Sequence, residues 1–495
     1  MTISDSHGSN SIAIIGTGPS GVAARWALEE LKIDFDIIDA DLKEDSPFNR
    51  AISPLTKEDI KLKLGSNLPY RQFRSGPTIV YGDTKIKNSF TAGGLSEVWG
   101  ATLLPYQEKT IQKWKLPWSD FVEAYRVVLS KVPYATFSRN PDSNFEEFGN
   151  PTKLKINSCF ISSITTPTDN KLIEFGASRL AIQLQKENSP GCYYCNKCLE
   201  GCVSSHIWSA AHVLRPPTLQ KSKAISGIRV VDIFIKTDQY FLRGTNSAGE
   251  KVELGPYMKI FLACGPVETF RILSESKFLP NQTQVLDSNT FFFPLILRKK
   301  VVIKNDESIA LSQVYCHMNG GKGKAEYHFQ VYSQSDVLIK RVARVLPLGK
   351  YIPEVVLRKI TQQVLICIGY RESCNETQIT LTRRENGDVY CEDSYKVSKS
   401  KLKRDIQRRI AMRSRELWKA GFIFLGLGIK IGSAGEGIHY GANLRHDLEI
   451  TNRGEVKAAA GVFVVDASSL QSISAGPITL TIMANSFQIV RNACK

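Results

Sequence analysis

The chain has 495 residues, of which 42% are hydrophobic and 23% charged, as in an ordinary globular protein with two or more domains. Its formal net charge of +16 at pH 7 favours an acidic substrate, an acidic electron-acceptor protein or peripheral contact with a membrane, whereas the lack of a recognition motif predicts no nucleic-acid binding. No run of 18 apolar residues and no apolar N-terminal segment occurs, so we expect a cytoplasmic protein without a spanning helix or leader, whose 11 cysteines are reduced.

Residues 11–39 predict a strand–helix–strand unit. Ser11–Ile15 is a short apolar run, Val22–Leu31 has the pattern of a helix, and Phe35–Asp39 is a second apolar run. The turn between the first strand and the helix reads G-x-G-x-x-G, from Gly16 to Gly21. Because a strand, a helix and an acidic residue at the end of the second strand accompany the glycines, the unit predicts dinucleotide binding.

Each residue type in this turn has a physical reason. Gly16 permits the tight turn, Gly18 lets the backbone approach a pyrophosphate, and Gly21 allows the helix to pack closely. The helix N-terminus stabilises phosphate charge. Asp39 ends the second strand, where it is placed to bind ribose hydroxyls. The predicted cofactor contacts in this unit are Gly16, Gly18, Pro19, Ser20, Gly21 and Asp39.

Four cysteines with ferredoxin-like spacing follow in the middle of the chain. They read C-x2-C-x2-C-x3-C, the spacing with which bacterial-type ferredoxins wrap an iron–sulfur cluster. In two-cluster ferredoxins the fourth cysteine ligates the other cluster, so a single motif leaves three arrangements open: four cysteines on a 4Fe-4S cluster, three on a 3Fe-4S cluster, or help from a remote thiol such as Cys159. A structural zinc site and unmetallated thiols or disulfides are the alternatives. The predicted metal ligands are Cys192, Cys195, Cys198 and Cys202.

A two-residue periodicity begins near residue 227 and predicts strands. Most of these runs alternate apolar and polar side chains, which is typical of an antiparallel sheet with one solvent or ligand face. The predicted strands are Val230–Ile235, Gln239–Leu242, Met258–Cys264, Phe291–Val302, Ser308–Met318, Ala325–Tyr332, Val364–Tyr370 and Gln378–Thr382.

Two segments of the chain stand out for positive charge. Residues 340–359 are basic and apolar, and Lys396–Arg415 predicts a basic helix with few acids. Both are interpreted as solvated helix faces, with docking to a membrane surface or to a partner protein as the alternative.

Four sequence blocks, in order, resemble those of the glucose–methanol–choline (GMC) oxidoreductase superfamily. The blocks are Gly16–Gly21 with Asp39, then Gly93–Gly100, then Phe261–Leu273, and finally His439–Asn485. The resemblance spans nearly the whole chain, and the cysteine motif is similar to the insert of a subgroup that carries an iron–sulfur cluster. It implies an α/β fold, in which a Rossmann-type FAD-binding domain is joined to a substrate domain built on an antiparallel β-sheet.

The resemblance implies further contacts to the cofactor FAD. The Gly93-Gly94 pair runs beside the isoalloxazine, where larger side chains would hold the backbone away from a flat ring. Asp466 ends a strand near the ribityl or pyrophosphate region, and Thr479 begins a helix whose N-terminus stabilises negative charge on the reduced flavin. Val98 stands where some relatives attach flavin to a histidine, so the FAD is expected to be non-covalent. The contacts implied in this way are Gly93, Gly94, Ser96, Gly265, Glu268, Asp466 and Thr479.

The catalytic residues that the resemblance implies lie in the C-terminal block. His439 matches the family histidine that faces the flavin from the substrate side. A histidine with a pKa near neutrality suits the removal of a hydroxyl proton as hydride leaves the carbon. The second family position, a His or Asn, aligns with Gly476. Asn443, or another side chain, is the predicted replacement for the missing hydrogen-bonding group.

The order of the blocks predicts how the chain is divided into domains. The FAD-binding domain is expected to be discontinuous, because its blocks stand on both sides of the cysteine motif and of the predicted antiparallel strands. The predicted segments are 1–110, 207–288 and 431–495 for the FAD-binding domain, 111–185 for a helical cap, 186–206 for the cysteine insert and 289–430 for the substrate domain.

Together these features predict an FAD-dependent dehydrogenase that oxidises a CH–OH group of a small-molecule alcohol or sugar, such as a glycoside. His439 acts as the base, and electrons leave through the iron–sulfur cluster to an external acceptor. Two alternatives stay open. One is an oxygen-using alcohol or sugar oxidase in which the cysteines hold a structural metal. The other is a flavin-binding scaffold protein without alcohol-oxidising activity, which Gly476 favours.

Overall fold

The computed structural model describes residues 11–40, 76–137, 152–156, 160, 172–185, 190–200, 202, 204–213, 219, 221–299, 309–320, 325–335, 339, 343 and 351–495. Within these residues the strands form one parallel sheet, two larger antiparallel or mixed sheets, a three-stranded meander and a two-stranded pair. The helices, in chain order, are α1 (Pro19–Leu31), α2 (Glu108–Lys113), α3 (Trp118–Lys131), α4 (Pro266–Glu275), α5 (Glu354–Thr361), α6 (Lys399–Ala411), α7 (Ser414–Lys419) and α8 (Thr479–Cys494).

A five-stranded parallel sheet carries the glycine-rich turn. In sheet order its strands are β22 (Val462–Val464), β11 (Lys259–Leu262), β1 (Ile12–Ile15), β2 (Asp36–Asp39) and β7 (Lys223–Ser226). The central strand β1 is apolar and buried along its whole length, as parallel strands covered on both faces are. Helices α1 and α8 share one core with the sheet, which contains Ala27, Phe261 and Phe487.

A three-stranded antiparallel meander shares a second core with the parallel sheet. Its strands are β8 (Ile228–Lys236), β9 (Gln239–Asn246) and β10 (Lys251–Tyr257). Ala13 and Ile15 of β1 belong to this core together with Leu242 and Tyr257 of the meander, whereas Ile12 and Ile14 belong to the core that holds α1 and α8. The alternation along β1 therefore gives the parallel sheet two covered faces, with helices on one and the meander on the other.

A seven-stranded antiparallel sheet forms the other large part of the molecule. In sheet order its strands are β19 (Phe422–Ile423), β13 (Thr290–Leu297), β16 (Val364–Arg371), β15 (Tyr327–Tyr332), β14 (Val314–Met318) and β6 (Ile173–Ala177), and β20 (Lys430–Ile431) also pairs with β13. Alternate residues such as Phe293, Phe329 and Cys367 pack in one core with Ile406 of α6 and Leu417 of α7. The residues between them face the opposite side of the sheet, where the functional cavity lies.

The remaining strands tie these parts together. A mixed five-stranded sheet has the order β21 (Tyr440–Gly441), β12 (Gln282–Asp287), β17 (Gln378–Arg383), β18 (Val389–Asp393) and β3 (Ile79–Val80), and β4 (Ala135–Thr136) pairs with β5 (Thr152–Lys153). Short 3-10 helices span Gly94–Glu97, Cys198–Glu200, Ala210–Val213 and Ala467–Ser469. Within the described residues, no helix has both the length and the apolar character that crossing a membrane requires.

Most predicted elements agree with the structure to within a few residues. The first helix begins at Pro19 rather than Val22, because proline is well suited to the first turn of a helix. The basic helix predicted over Lys396–Arg415 is interrupted at Met412–Arg413 and forms α6 and the first residues of α7. Residues 300–302 and 308 of two predicted strands, and most of the basic segment 340–350, lie outside the described residues.

Candidate active site

A cavity of about 890 Å³ lies between the parallel sheet and the seven-stranded sheet. Asp39, Ala263 and Asp466, which follow or end three of the parallel strands, line one part of it. This is the carboxyl edge of the sheet, where open α/β sheets bind ligands. Alternate side chains of the seven-stranded sheet line another part, namely Thr290, Phe292, Gln330, Tyr332, Ile368 and Tyr370.

The glycine-rich turn is closely packed on its inner side and open toward the cavity. A Cβ atom added to Gly21 would lie 1.9 Å from the carbonyl oxygen of Gly16, so the approach of α1 to β1 requires glycine there. A Cβ atom added to Gly18 would meet no atom within 4 Å. Asp39 accepts hydrogen bonds from the amide (2.7 Å) and the hydroxyl (2.6 Å) of Thr17 through one carboxylate oxygen. The carboxylate thus fixes the turn while lining the cavity.

The second glycine pair lies against the first turn. Gly93 has a φ of 82°, and a Cβ atom there would approach the amide nitrogen of Ala211 to 2.7 Å. A Cβ atom on Gly94 would lie 3.4 Å from the Cα of Gly18, so the two loops meet at the cavity wall. The Ser96 hydroxyl donates to the carbonyl of Gly93 (2.6 Å) and accepts from the amide of Ala210 (2.9 Å). Ser96 therefore holds this turn in place with both of its bonds.

Asp466 joins the C-terminal block to the start of α4. Its carboxylate accepts hydrogen bonds from the amides of Gly265 and Ser468, both 2.8 Å, and from the hydroxyl of Thr269 at 2.5 Å. Burial raises the pKa of Asp466 above its ordinary value, although these hydrogen bonds oppose the shift. Asp466 and Gly265 both line the cavity.

Glu268 lies between two buried arginines. Its carboxylate contacts Arg229 at 2.8 Å and Arg271 at 3.0 Å, and the side chains of these arginines are 2% and 0% exposed. Burial opposes the ionisation of Glu268, but the two guanidinium groups outweigh it and hold its pKa below the ordinary value. Glu268 lines the cavity beside Arg229, and both of its carboxylate oxygens accept hydrogen bonds from the two arginines.

The N-terminus of α8 points its first turn at the cavity. Pro477, Ile478, Thr479 and Ile482 line it, and no side chain caps the first helical amides. These amides and the helix dipole provide partial positive charge to a ligand. Thr481 lies two residues after Thr479, and its hydroxyl contacts the hydroxyl of Tyr125 at 3.0 Å.

His439 lines the cavity with its ring stacked on Tyr370. The ring centroids are 4.2 Å apart and the planes are inclined by 23°. Surrounding protein lowers the pKa of His439 to about 4, because burial disfavours the charged imidazolium. The side-chain Nδ1 has no hydrogen-bond partner among the described residues. The arrangement is a neutral imidazole that stacks on one aromatic ring, with a buried Nδ1 that lacks a partner among the described residues.

Asn443, the predicted second catalytic residue, lies outside the cavity lining. Its side chain is buried, and neither amide atom finds a partner among the described residues. Gly476, at the position where the family has a hydrogen-bonding residue, has open space beside it, since an added Cβ atom would come no closer than 4.0 Å to the Ser474 hydroxyl. The structure therefore does not bring Asn443 to the cavity beside His439.

Sequence reasoning missed the polar residues that the seven-stranded sheet presents to the cavity. Gln330 and Tyr332 are two residues apart on β15, and the Tyr332 hydroxyl donates to the side-chain oxygen Oε1 of Gln330 at 2.8 Å. Alternating polar side chains inside an otherwise apolar strand were the available signal. Asn88 was missed as well. It lines the cavity with an unpartnered side-chain amide nitrogen, as judged within the described residues.

The cysteine segment borders the same cavity. Cys198 and Cys202 line it, whereas Cys192 and Cys195 are not among its lining residues. Burial is the main cause that raises the pKa of the Cys198 thiol to about 12, and the charges of the other three thiols contribute to the rise, so the four thiols lie in one neighbourhood. Tyr194 and Asn196, with φ of 64° and 58°, turn the chain on either side of Cys195.

The donor set therefore has the chemistry of a soft metal site, but the thiols are not arranged around a common point. Among the described residues, no group of three or more His, Cys, Asp or Glu side chains has metal-binding geometry. Cys159, considered above as an additional ligand, lies outside the described residues. The Cys202 sulfur accepts a hydrogen bond from the amide of His206 at 3.2 Å, the kind of backbone contact that thiolate ligands receive.

Except for Gly21 and Gly93, which are packing positions, the predicted cofactor residues all line one cavity. Those that line it are Gly16, Gly18, Pro19, Ser20, Asp39, Gly94, Ser96, Gly265, Glu268, Asp466 and Thr479. His439 lines the same cavity, so residues from the first and last parts of the chain converge on one space.

Comparison with known proteins gives a fold match without a sequence match. The chain matches no protein-family model and no curated protein sequence. Among 716 solved chains of similar fold is pyridoxine 4-oxidase from Mesorbium loti, which is 14% identical with a TM-score of 0.62 over 98% of this chain and 99% of that chain. This likeness confirms the predicted fold class, a Rossmann-type domain joined to a substrate domain on an antiparallel sheet.

Proposed function

We propose that this protein is an FAD-dependent oxidoreductase of the GMC superfamily that oxidises a CH–OH group. The observation that carries the proposal is the presence of a neutral histidine, His439, in the same cavity as the glycine-rich turn of a dinucleotide-binding unit. The full-length fold match to pyridoxine 4-oxidase supports it. That protein's name describes an alcohol-oxidising oxidase, and the chemistry is extended to this chain as part of the proposal.

The cavity wall fits a dinucleotide with an extended pyrophosphate. The open space above Gly18 and the first turn of α1 suit the pyrophosphate, and the end of β2 at Asp39 suits a ribose. The uncapped N-terminus of α8 at Thr479 suits the edge of the flavin ring, which becomes negatively charged when the flavin is reduced. Val98 lines the cavity and offers no nucleophile, which supports non-covalent binding.

FAD, when bound, supplies the acceptor for the hydride that leaves the substrate carbon. His439 accepts the hydroxyl proton as that hydride leaves. Because burial holds the pKa of His439 at about 4, the imidazole is neutral and able to accept a proton throughout the physiological range. Tyr370 restricts the orientation of the ring by stacking on its face. Such a positioned base contributes about 10²–10⁴-fold to the rate of proton-coupled steps.

We propose a sugar or a glycoside as the substrate. Thr290, Gln330 and Tyr332 present hydroxyl and amide groups to the cavity from alternate positions of the seven-stranded sheet. Between them lie the apolar side chains of Phe292 and Ile368. A polar set of this kind suits a compound with several hydroxyl groups, and the apolar side chains suit the less polar face of a sugar ring.

For the exit of electrons we propose an iron–sulfur cluster, either 4Fe-4S or 3Fe-4S. Cys192, Cys195, Cys198 and Cys202 would hold it, and it would supply one-electron transfer to an external acceptor. The ferredoxin-like spacing, the mutual proximity of the thiols and the position of two of them at the cavity support this. The competing proposal is an oxidase that uses oxygen, which the name of the structural neighbour favours.

An acidic electron-acceptor protein is the proposed partner of the dehydrogenase. The exposed face of α6 carries Lys401, Lys403, Arg404 and Arg408, and its apolar face is buried through Leu402, Ile406 and Ile410. The apolar side of α6 is thus buried inside the protein. Its exposed charged side attracts an acidic protein surface electrostatically. Peripheral contact with an anionic membrane is the alternative for the same charge.

The test is an anaerobic single-turnover experiment on purified protein. Visible spectroscopy with iron, sulfide and zinc analysis establishes the cofactors, and a panel of sugars and simple alcohols is then mixed with the protein. We expect bleaching of the flavin band by a CH–OH compound and slow bleaching in His439→Asn with an unchanged flavin spectrum. Reoxidation by oxygen with stoichiometric peroxide, in protein without iron, would favour the oxidase. No bleaching by any compound would favour a scaffold protein.

A further inference from the structure

A row of side chains leads away from His439 across the seven-stranded sheet. Tyr370, on which His439 stacks, is the register partner of His328 on β15. His328 is in turn the partner of His317 on β14, and His317 is the partner of Glu174 on β6. Directly paired residues in an antiparallel sheet lie on the same face with Cβ atoms about 5 Å apart. The four strands therefore align two histidines beyond the aromatic ring that holds the proposed base.

The outer end of this row is polar and reaches solvent. His317 Nε2 lies 3.3 Å from the side-chain oxygen of Asn319 and 3.6 Å from the carboxylate of Glu326. Lys109, whose side chain is 44% exposed, forms an ion pair with Glu326 and donates to Asn319 at 2.8 Å. The charged groups that face this end are Lys109, Lys113, Glu174, Glu326 and Glu372.

Packing alone does not account for the presence of a histidine at position 328. Its side chain is 2% exposed, stacked against Tyr315 at 5.3 Å, and its Nε2 has no partner among the described residues. A buried polar atom without a partner costs about 1–3 kcal/mol, a cost that a phenylalanine would avoid. The ring of His317 is 6.4 Å away, and the charges of His317 and His439 both lower the pKa of His328, which places all three in one neighbourhood.

We propose that His328 and His317 conduct the substrate's hydroxyl proton from His439 to Glu326, a buried carboxylate paired with the exposed Lys109. The inference rests on the proposed alcohol oxidation and adds a route that the oxidation itself does not specify. The O–H bond of the substrate breaks and its proton binds His439, while the C–H electron pair leaves as hydride to the flavin and the carbonyl forms. The proton then crosses beside Tyr370 to His328, moves to His317 and Glu326, and leaves to solvent beside the exposed Lys109.

The energetics of the route follow from burial. Burial lowers the pKa of His328 well below its ordinary value, as it does that of His439. Both imidazoles are therefore neutral at rest. Neither retains the proton, because protonation of either is unfavourable in its surroundings. Glu326 and Asn319 stabilise the proton once it arrives at His317.

The experiment measures flavin bleaching and proton release in the same anaerobic single turnover. The holoenzyme is mixed with its alcohol substrate in weak buffer containing a pH indicator. In His328→Gln, which keeps a polar side chain but cannot relay protons, we expect bleaching close to the wild-type rate and release of the proton slowed by about tenfold or more. Added imidazole should restore release in His328→Ala. His317→Asn, nearer the surface, should show the same delay if His328 variants fold poorly.

His446→Asn is the matched control. His446 is a half-buried histidine outside the cavity, whose ring nitrogen bonds the backbone carbonyl of Ser469 at 3.0 Å. We expect bleaching and proton release to stay synchronous in this variant. Release that keeps pace with bleaching in both His328→Gln and His317→Asn would overturn the relay alone. Failure of every alcohol to bleach the flavin would overturn the proposed function, and the relay with it.

Discussion

Two alanine substitutions in one turn separate the folding role of the glycines from their role toward the cofactor. Gly18 directly precedes α1, and Gly21 lies three residues later, in the first turn of that helix. Their surroundings differ completely. A methyl group at Gly21 would lie 1.9 Å from the Gly16 carbonyl oxygen, whereas one at Gly18 would have no neighbour within 4 Å.

Gly21→Ala should destabilise the fold. Real Cβ atoms do not approach other atoms closer than 3.0 Å, so the start of α1 must move about 1.1 Å from the turn, the difference between 3.0 and 1.9 Å. The obstacle is backbone and cannot rotate away. Overpacking of this kind costs about 1–3 kcal/mol and sometimes more, and we expect the upper end because α1 is buried against α8.

Gly18→Ala should leave the fold intact and weaken FAD binding. Gly18 has φ −65° and ψ −177°, a conformation that any residue adopts, so the free energy of unfolding should change by less than about 0.5 kcal/mol. The methyl group would occupy the space assigned to the pyrophosphate. We expect the affinity for FAD to fall at least about tenfold, which corresponds to about 1.4 kcal/mol.

The assay has two arms. Chemical denaturation of the flavin-free protein, followed by circular dichroism, gives the stability of each variant, and titration with FAD, followed by flavin fluorescence, gives its affinity. Wild-type affinity in Gly18→Ala would refute the position assigned to the pyrophosphate. Wild-type stability in Gly21→Ala would refute the packing argument.

Further predictions concern the base, the buried charges, the missing hydrogen-bonding group and the cysteines. His439→Asn should slow flavin reduction about 10²–10⁴-fold in stopped-flow experiments. In the wild type, the rate should hold as pH falls and be lost only near pH 4, where His439 takes a proton, and a loss centred near pH 6.5 would contradict the lowered pKa. Glu268→Gln leaves two buried arginines unpaired and should cost about 3–5 kcal/mol in denaturation, whereas Glu253→Gln, at a carboxylate that is 44% exposed, should cost less than about 1 kcal/mol. Gly476→Asn should fold normally, since its Cβ has space, and should raise rather than lower the rate of flavin reduction. Cys198→Ser should lower the iron content measured after anaerobic purification, and unchanged iron would exclude Cys198 as a ligand.

The nucleotide-binding part was predictable because its signal is local. The strand, the glycine-rich turn, the helix and Asp39 lie within residues 11–39, so spacing along the chain is also spacing in the structure. Gly21 packs on Gly16, which lies only five residues earlier in the sequence. The resemblance added the more distant partners Asp466 and His439, which local spacing could not have joined to the turn.

The substrate side was not predictable for the opposite reason. The neighbours of His328 come from β14 and β16, and the pairing registers that bring His317 and Tyr370 beside it are set by contacts between distant segments. A shift of one residue in either register would turn these side chains to the other face. The buried ion pair of Glu268 was not predictable for the same reason, because its partner Arg229 lies on β8 and no local pattern links the two residues. Asn443 was proposed as a substitute for the family residue missing at Gly476, and it does not line the cavity that contains His439.

The proton route and the electron route constrain each other. Oxidising an alcohol to a carbonyl releases two electrons and two protons. An oxidase returns all of them to oxygen as peroxide, so its net proton release is zero, whereas an acceptor that takes only electrons leaves two protons for solvent. A histidine relay leading from His439 through His328 to Glu326 serves the second case and is dispensable in the first. The relay and the cysteine segment at the same cavity thus favour the same outcome, a dehydrogenase. Steady-state turnover in weak buffer separates the two cases: turnover that requires an added one-electron acceptor and releases two protons per alcohol supports this linkage, whereas turnover in air with stoichiometric peroxide and no net proton release would break it.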